Sequence, residues 1–212
     1  MKSRFTKAVL PLLVLFGAII YLPGCATIGM DRATKTTDTM QALENDYRQA
    51  GLQIDATNAS LASLVMPAQK DTRKAYKAYS KEVKKMEALG SRLNQHADEM
   101  QSQRDTFFEK WETSYASAEI QELSEQRRVD MRAAYAKIPE ASIGVKGALQ
   151  AYLNDTREIQ RYLSNDLTPQ GIESIRPVAH RAVMDGKRVQ ESIKPLLTAI
   201  NQVKSGMVQG NK

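Results

Sequence analysis

The side chains in this sequence able to carry covalent or acid–base chemistry are few: one cysteine, Cys25, and two histidines, His96 and His180, among 24 carboxylates. His96 and Glu99 stand at i, i+3, but a zinc site takes three or four ligands, and His180 has no ligand-spaced neighbour. Both histidines therefore read as surface residues. Adjacent carboxylates such as Asp98 and Glu99 belong to an acidic helix face, with nothing around them to raise a pKa for acid catalysis. No glycine-rich phosphate loop and no nucleophile elbow is present. The sequence thus predicts a protein that is not an enzyme and that uses no metal or cofactor.

Cys25 differs because of what precedes it. Lys2, Arg4 and Lys7 make a basic start, and Ala8 to Tyr21 follow as fourteen uncharged, almost wholly apolar residues. That is the build of a secretory signal. The run is shorter than the ~20 apolar residues of a membrane-spanning helix, and it contains Pro11. Leu22, Gly24 and Cys25 resemble the lipobox of bacterial lipoproteins, with Pro23 in place of the small residue usual there. The resemblance implies cleavage before Cys25, transfer of a diacylglycerol to its thiol, and a mature protein held on a membrane. A soft thiol is alkylated where a serine hydroxyl is a poor nucleophile. Two or more acyl chains hold a protein durably where one does not. With Ala26 rather than Asp after the cysteine, the resemblance implies the outer membrane of a Gram-negative envelope, facing the periplasm.

Removing the signal changes the charge. Three of the bases go with it, so the mature chain holds 27 bases against 24 acids, a net +3 rather than +6. That balance argues against nucleic-acid binding. With Cys25 acylated, no thiol remains for a disulfide or a metal. The remaining bases are uneven: Lys70, Arg73, Lys74, Lys77, Lys81, Lys84 and Lys85 line one side of a helix. They read either as a solvated face or as a contact for anionic lipid head groups or other envelope polyanions.

The elements that carry these residues are helices. Thr27 to Thr37, polar and with Gly29 inside, reads as a flexible linker. From Met40 the apolar residues alternate at three and four: Met40, Leu43, Tyr47, Ala50, Ile54, Leu61 and Leu64, with Thr57 breaking the series. The segment ends near Met66-Pro67. A second seam runs through Tyr76, Tyr79, Val83, Met86, Leu93, Ala97, Met100, Phe107 and Trp111. The phase drifts near Tyr115 to Glu119, where Ser117 caps a new helix through Leu123, Met131, Ala134 and Ile138; an uninterrupted helix to Ile138 is the alternative. Pro139 breaks or kinks the chain, and a fresh seam follows at Val145, Leu149, Tyr152, Ile159 and Leu163. Thr168-Pro169 opens the last and most regular seam, Ile172 to Met207, in which Pro195 predicts a kink.

The predicted fold class is all-α, an elongated antiparallel bundle or coiled coil of about four long helices. Its organisation is a signal over 1–24, a lipidated cysteine and linker over 25–37, the bundle over 38–207 and a frayed tail over 208–212. Folding back near Ser117 sets Glu109 and Glu112 beside Arg127, Arg128 and Arg132. Folding back near Pro67 sets Asp55 beside Lys77 and Lys81.

Phe107, Phe108, Trp111 and Tyr115 form an aromatic cluster. Core packing is one reading; the other places Phe108, beside the seam, together with Trp111 on the surface as a partner contact. The stretch Phe107-Phe108-Glu109-Lys110-Trp111-Glu112, then Arg127-Arg128, Leu149-Gln150-Ala151-Tyr152-Leu153 and Tyr162-Leu163-Ser164-Asn165-Asp166-Leu167 resemble a family of uncharacterised bacterial lipoproteins with a domain of unknown function, over about residues 57 to 200. That resemblance implies a helical shape and an envelope location, and no catalytic residues. The functional expectation is a non-enzymatic, lipid-anchored structural or interaction protein, with a protein partner or a second copy as its target. The alternative is a module that binds envelope lipids or polyanions through the basic face or a groove between helices.

Overall fold

The computed structural model describes residues 25–67, 69–111 and 113–208, with side chains from Gly29 to Met207. Four helices follow one another: α1 Cys25–Leu64, α2 Thr72–Glu109, α3 Ala118–Asn165 and α4 Pro169–Val208. At 1.5 Å per residue they are roughly 55 to 70 Å long. Each packs on its sequence neighbour, and α4 closes against α1. Short connections make every neighbour antiparallel, and the cross-links keep that register. Arg92 and His96 of α2 meet Asp46 of α1, and Lys204 of α4 meets Glu44 of α1. The result is the expected up-down-up-down four-helix bundle.

The helix starts are capped by local chemistry. The Asp71 carboxylate accepts from Lys74 N at 2.9 Å, and Ser117 Oγ accepts from Ile120 N at 3.4 Å. Thr168 Oγ1 accepts from Gly171 N at 3.1 Å, while its own N–H and O–H donate to Asp166 Oδ1. Those two bonds hold the Asp166 carboxyl below its usual range. A methyl group on Gly171 would lie 2.5 Å from Asp166 Cγ, so this turn requires glycine.

Every seam residue named in α1 from Met40 to Leu64 is buried, as are Tyr79, Val83, Met86, Leu93 and Met100 in α2. The core forms two apolar clusters. Near their boundary the interior is polar: Thr57, Asn58 and Thr156 are buried among the tyrosines. Tyr152 OH donates to Asn58 Oδ1 at 2.9 Å, and Asn58 Nδ2 donates to Val183 O at 3.2 Å. Tyr79 OH donates to Thr156 O at 2.7 Å. Thr57, which interrupts the apolar series, is a core residue whose hydroxyl donates to Gln53 O. A polar layer in a long seam costs stability but fixes register, because sliding one helix would bury these groups unpaired. Burial pushes the Tyr47 hydroxyl pKa up to about 12 and raises those of Tyr79, Tyr135 and Tyr152 further.

Three expectations are corrected. The segment read as a flexible linker is helical: residues 25–37 belong to α1, and Thr36 is 1% exposed. Thr36 and Thr37 donate to the carbonyls of Arg32 and Ala33, which satisfies their hydroxyls within the helix. Pro139 lies inside α3, so the chain does not break there; Pro195, where a kink was expected, lies inside α4. Both prolines are exposed, and each lacks the amide that would bond the carbonyl four residues back. The charge pairing also differs, except that Glu112 lies outside the described residues. Asp55 accepts from Gln190 of α4, Arg128 pairs with Glu125 of its own helix, Arg127 donates to Gly206 O, and Arg132 lies over the Phe108 ring. The residues 209–212 of the expected frayed tail lie outside the described residues.

Candidate functional site

The predicted site residues fall at separate places on the bundle. Cys25 is the first residue of α1; its side chain, with Leu22, Pro23 and Gly24, lies outside what the structure describes. Lys70, Arg73, Lys74, Lys77, Lys81, Lys84 and Lys85 are all exposed, from the turn before α2 along its first half. Among the described residues only Lys85 of the seven has a carboxylate within ion-pair distance, Glu82 at 2.9 Å. The hydrogen bond from Lys85, first, and then that from Gln53 hold the Glu82 carboxyl below its ordinary range. The stripe is therefore a solvated basic face, not one neutralised by α1.

Phe108 does not lie on the surface. It is 8% exposed, with Phe107, Trp111 and Tyr135 rings at centroid distances of 5.3, 6.4 and 5.4 Å and the Arg132 guanidinium 4.6 Å above it. A helix in a four-helix bundle packs against two neighbours, so its buried face is wider than a two-helix seam, and Phe108 turns towards α3. Trp111 is half-buried just past the end of α2, and its Nε1–H donates to Ser124 Oγ at 3.0 Å. Tyr115 belongs to the α2–α3 connection rather than to a helix face, and it is exposed.

His96 is a contact between helices rather than a free surface residue. Its Nδ1 lies 2.6 Å from Asp46 Oδ2, and Arg92 Nε donates to Asp46 Oδ1 at 2.9 Å. Asp46 is buried, so the α2 cation and imidazole satisfy a carboxylate that α1 takes out of water. Glu44 is handled alike. Burial opposes its ionisation, but the hydrogen bonds and charges of Lys204 and Arg48 outweigh that and lower its pKa. Its contribution to stability is thus present above the ordinary glutamate pKa and is lost as pH falls through the lowered folded-state value. His180 is exposed.

A groove between helices was expected without a position; the described residues place two hollows. The first is a groove between α2 and α3. These helices meet at one end through Tyr76 and Tyr79 with Gln160 and Thr156, and at the other through Phe108 with Tyr135. Between those contacts a cavity of about 620 Å³ opens, its floor including Leu43, Leu93, Val145 and Leu196, so that all four helices contribute. Gly90, Ala97 and Ser142 keep the walls low. The Arg157–Glu87 pair, at 2.8 Å, bridges one end. Small residues facing one another across α2 and α3 are the sequence signal for it, but their pairing depends on register.

The second hollow is at the end of the bundle where α1 begins. Gly29, Ala33, Phe107, Trp111, Ile120 and Leu123 line a cavity of about 500 Å³, closed on one side by Met131 and Met207. Residues 118–130 of α3 contain no buried side chain, although Ile120 and Leu123 sit there at 50% and 64% exposure. Leu123, expected in the seam, lies on the rim of a space that no described side chain fills.

Among the described residues no group of His, Cys, Asp and Glu is placed to hold a metal ion, and no helix is long and apolar enough to cross a membrane. The sequence model of a family described as Protein of unknown function (DUF2959) matches residues 21–207. The chain belongs to this family. The DUF2959 match is wider than the span expected from the short motifs, taking in the Leu22 to Cys25 stretch and nearly the whole of the four helices. The family is thus, in this chain, a helical bundle. No curated protein and no solved structure matches the chain.

Proposed function

We propose that the protein is a non-enzymatic, lipid-anchored envelope protein that works by binding, its bundle standing on the membrane by one end. The observation that carries the reading is that Cys25 and the residues after it already belong to α1. With no linker between anchor and bundle, a diacylglycerol on that cysteine holds the end of the rod at the bilayer surface. The sides of the helices, including the α2–α3 groove, are then presented at distances of up to roughly 60 Å. The titratable groups support a structural rather than catalytic interior. The buried tyrosines are pushed up by desolvation, away from reactivity near neutral pH, and Glu44 and Glu82 are pulled down by their partners.

Mass spectrometry of protein purified from membranes is expected to find Cys25 as the first residue, carrying a thioether-linked diacylglycerol. A chain retaining Met1 to Gly24, or a free Cys25 thiol, rejects the anchor. A photo-crosslinking side chain at Gln150, on the groove wall, is expected to trap one defined protein species in intact cells; a solitary monomer in every condition counts against the binding role.

The exposed basic stripe favours a second reading, a contact with anionic head groups or other polyanions. At low salt such a face attracts negative surfaces within about a Debye length. Unlipidated protein is expected to sediment with anionic vesicles and not with neutral ones. Equal sedimentation with both sinks this reading, and so does retention of the effect after Lys74, Lys77, Lys81 and Lys84 are changed to glutamine.

A further inference from the structure

We propose that the apolar cavity at the Cys25 end of the bundle takes an acyl chain from a bilayer phospholipid, so that this end docks on the membrane rather than merely hanging from it. The inference rests on the membrane attachment proposed above.

The end of the bundle is built as a container. Ile120, Ser124, Arg127 and Met131 recur along α3 with Leu123 between them, and all five line the cavity. A helix face of that spacing ordinarily closes against a neighbour. Here the space opposite is walled by Gly29, Arg32 and Ala33 of α1 and by Phe107 and Trp111, and no described side chain occupies it. Ile120, Leu123 and Tyr115 are left exposed around one hollow, whereas exposed apolar residues scattered singly would need no explanation.

Position identifies the occupant. Gly29 in the cavity wall is four residues from Cys25, about 6 Å along the helix. The sequence before Cys25 is the apolar run Ala8 to Tyr21. Whether Cys25 is lipidated or that run is retained, what adjoins the cavity is the hydrocarbon boundary of a membrane. The wall chemistry agrees: Trp111 and Tyr115 combine an apolar ring with a polar handle, the combination enriched at membrane–water interfaces. Arg32 Nε is buried without an acceptor among the described residues, and the ester oxygens at the head of an acyl chain are acceptors. Glu119, Glu122 and Glu125 lie on the same turns of α3, so attraction to an anionic surface is not the driving force, and the interaction is with the hydrocarbon.

Trp111 is the sole tryptophan of the chain, so its fluorescence reports this cavity directly. The membrane-extracted protein is reconstituted into zwitterionic phosphatidylcholine vesicles whose acyl chains carry bromine near the glycerol. Most of the Trp111 emission is expected to be lost relative to unbrominated vesicles. Leu123→Glu and Ile120→Glu are expected to restore it without loss of helicity, since both side chains are half or more exposed. Equal emission in the two kinds of vesicle overturns the proposal. Blue-shifted but unquenched emission does so in favour of the lipid on Cys25 itself, and an unquenched dimer in crosslinking does so in favour of a second copy. The mass of the N-terminal peptide from the same sample reports the anchor separately. Quenching with an unmodified Cys25 upholds the cavity and rejects the anchor, and no quenching with a lipidated Cys25 does the reverse.

Discussion

Replacing Gly186 with leucine is expected to lower the melting temperature by roughly 6 to 20 °C, corresponding to about 3–5 kcal/mol in a protein of this size. A Cβ at this position would lie 2.6 Å from Asn58 Nδ2, 2.9 Å from Ile54 Cγ2 and 3.0 Å from Tyr152 Cε2. None of these neighbours yields cheaply. Asn58 is held by Tyr152 OH and Val183 O, and turning it away leaves buried polar atoms unpaired, at about 1–3 kcal/mol. Moving α4 off α1 instead opens the polar layer and the apolar contacts on both sides of it. Alanine should be milder, because its helix propensity recovers about 1 kcal/mol against glycine. Gly147→Ala is the control: it is exposed on α3 with nothing within 4 Å of the added methyl, and it is expected to stabilise slightly. Thermal unfolding followed by circular dichroism tests the set. A Gly186→Leu variant that melts with the wild type would show that α1 and α4 do not approach as described.

Phe108→Ala is expected to cost about 3–5 kcal/mol, while Leu123→Ala stays within about 0.5 kcal/mol of wild type. The first removes a buried ring from contact with Phe107, Trp111, Tyr135 and Arg132. The second trims a side chain that is 64% exposed. Urea unfolding of the two variants separates them: the midpoint of Phe108→Ala should fall well below that of Leu123→Ala, with unchanged slope. Equal midpoints would return Phe108 to the surface.

This pair also marks where periodicity misleads. Reading three-four spacing locates the residues that face an adjacent helix along one line. It placed Met40 to Leu64, and the whole of the last seam from Ile172 to Val203 apart from the half-buried Ile175, correctly inside. A helix of a bundle has a second neighbour, and the flanking positions that meet it, Leu89, Phe108, Tyr135, Leu153 and Ala199, fall outside a strict seam. Leu123 errs in the other direction. Its spacing is correct, but no described side chain fills the space it faces. The linker assignment failed for a related reason. Thr27 to Thr37 has weak helix propensity, but packing at Thr36 sustains a helix that composition alone does not, with the hydroxyls of Thr36 and Thr37 satisfied by carbonyls four residues back.

The sequence by itself determined the all-α class, the number of long helices, the turns at Pro67, Ser117 and Thr168, and most of the core, because these depend on local propensity, capping and a periodicity written along one chain. It also marked Cys25, through the apolar run before it, as the residue to test for lipid attachment. Only the tertiary structure decided which faces close and which stay open. The α2–α3 groove, the cavity beside Trp111 and the contact of Asp46 with Arg92 and His96 each join residues from separate helices. Their distances are set by register and rotation, which antiparallel packing around the buried Asn58–Tyr152 layer fixes and which no single segment contains.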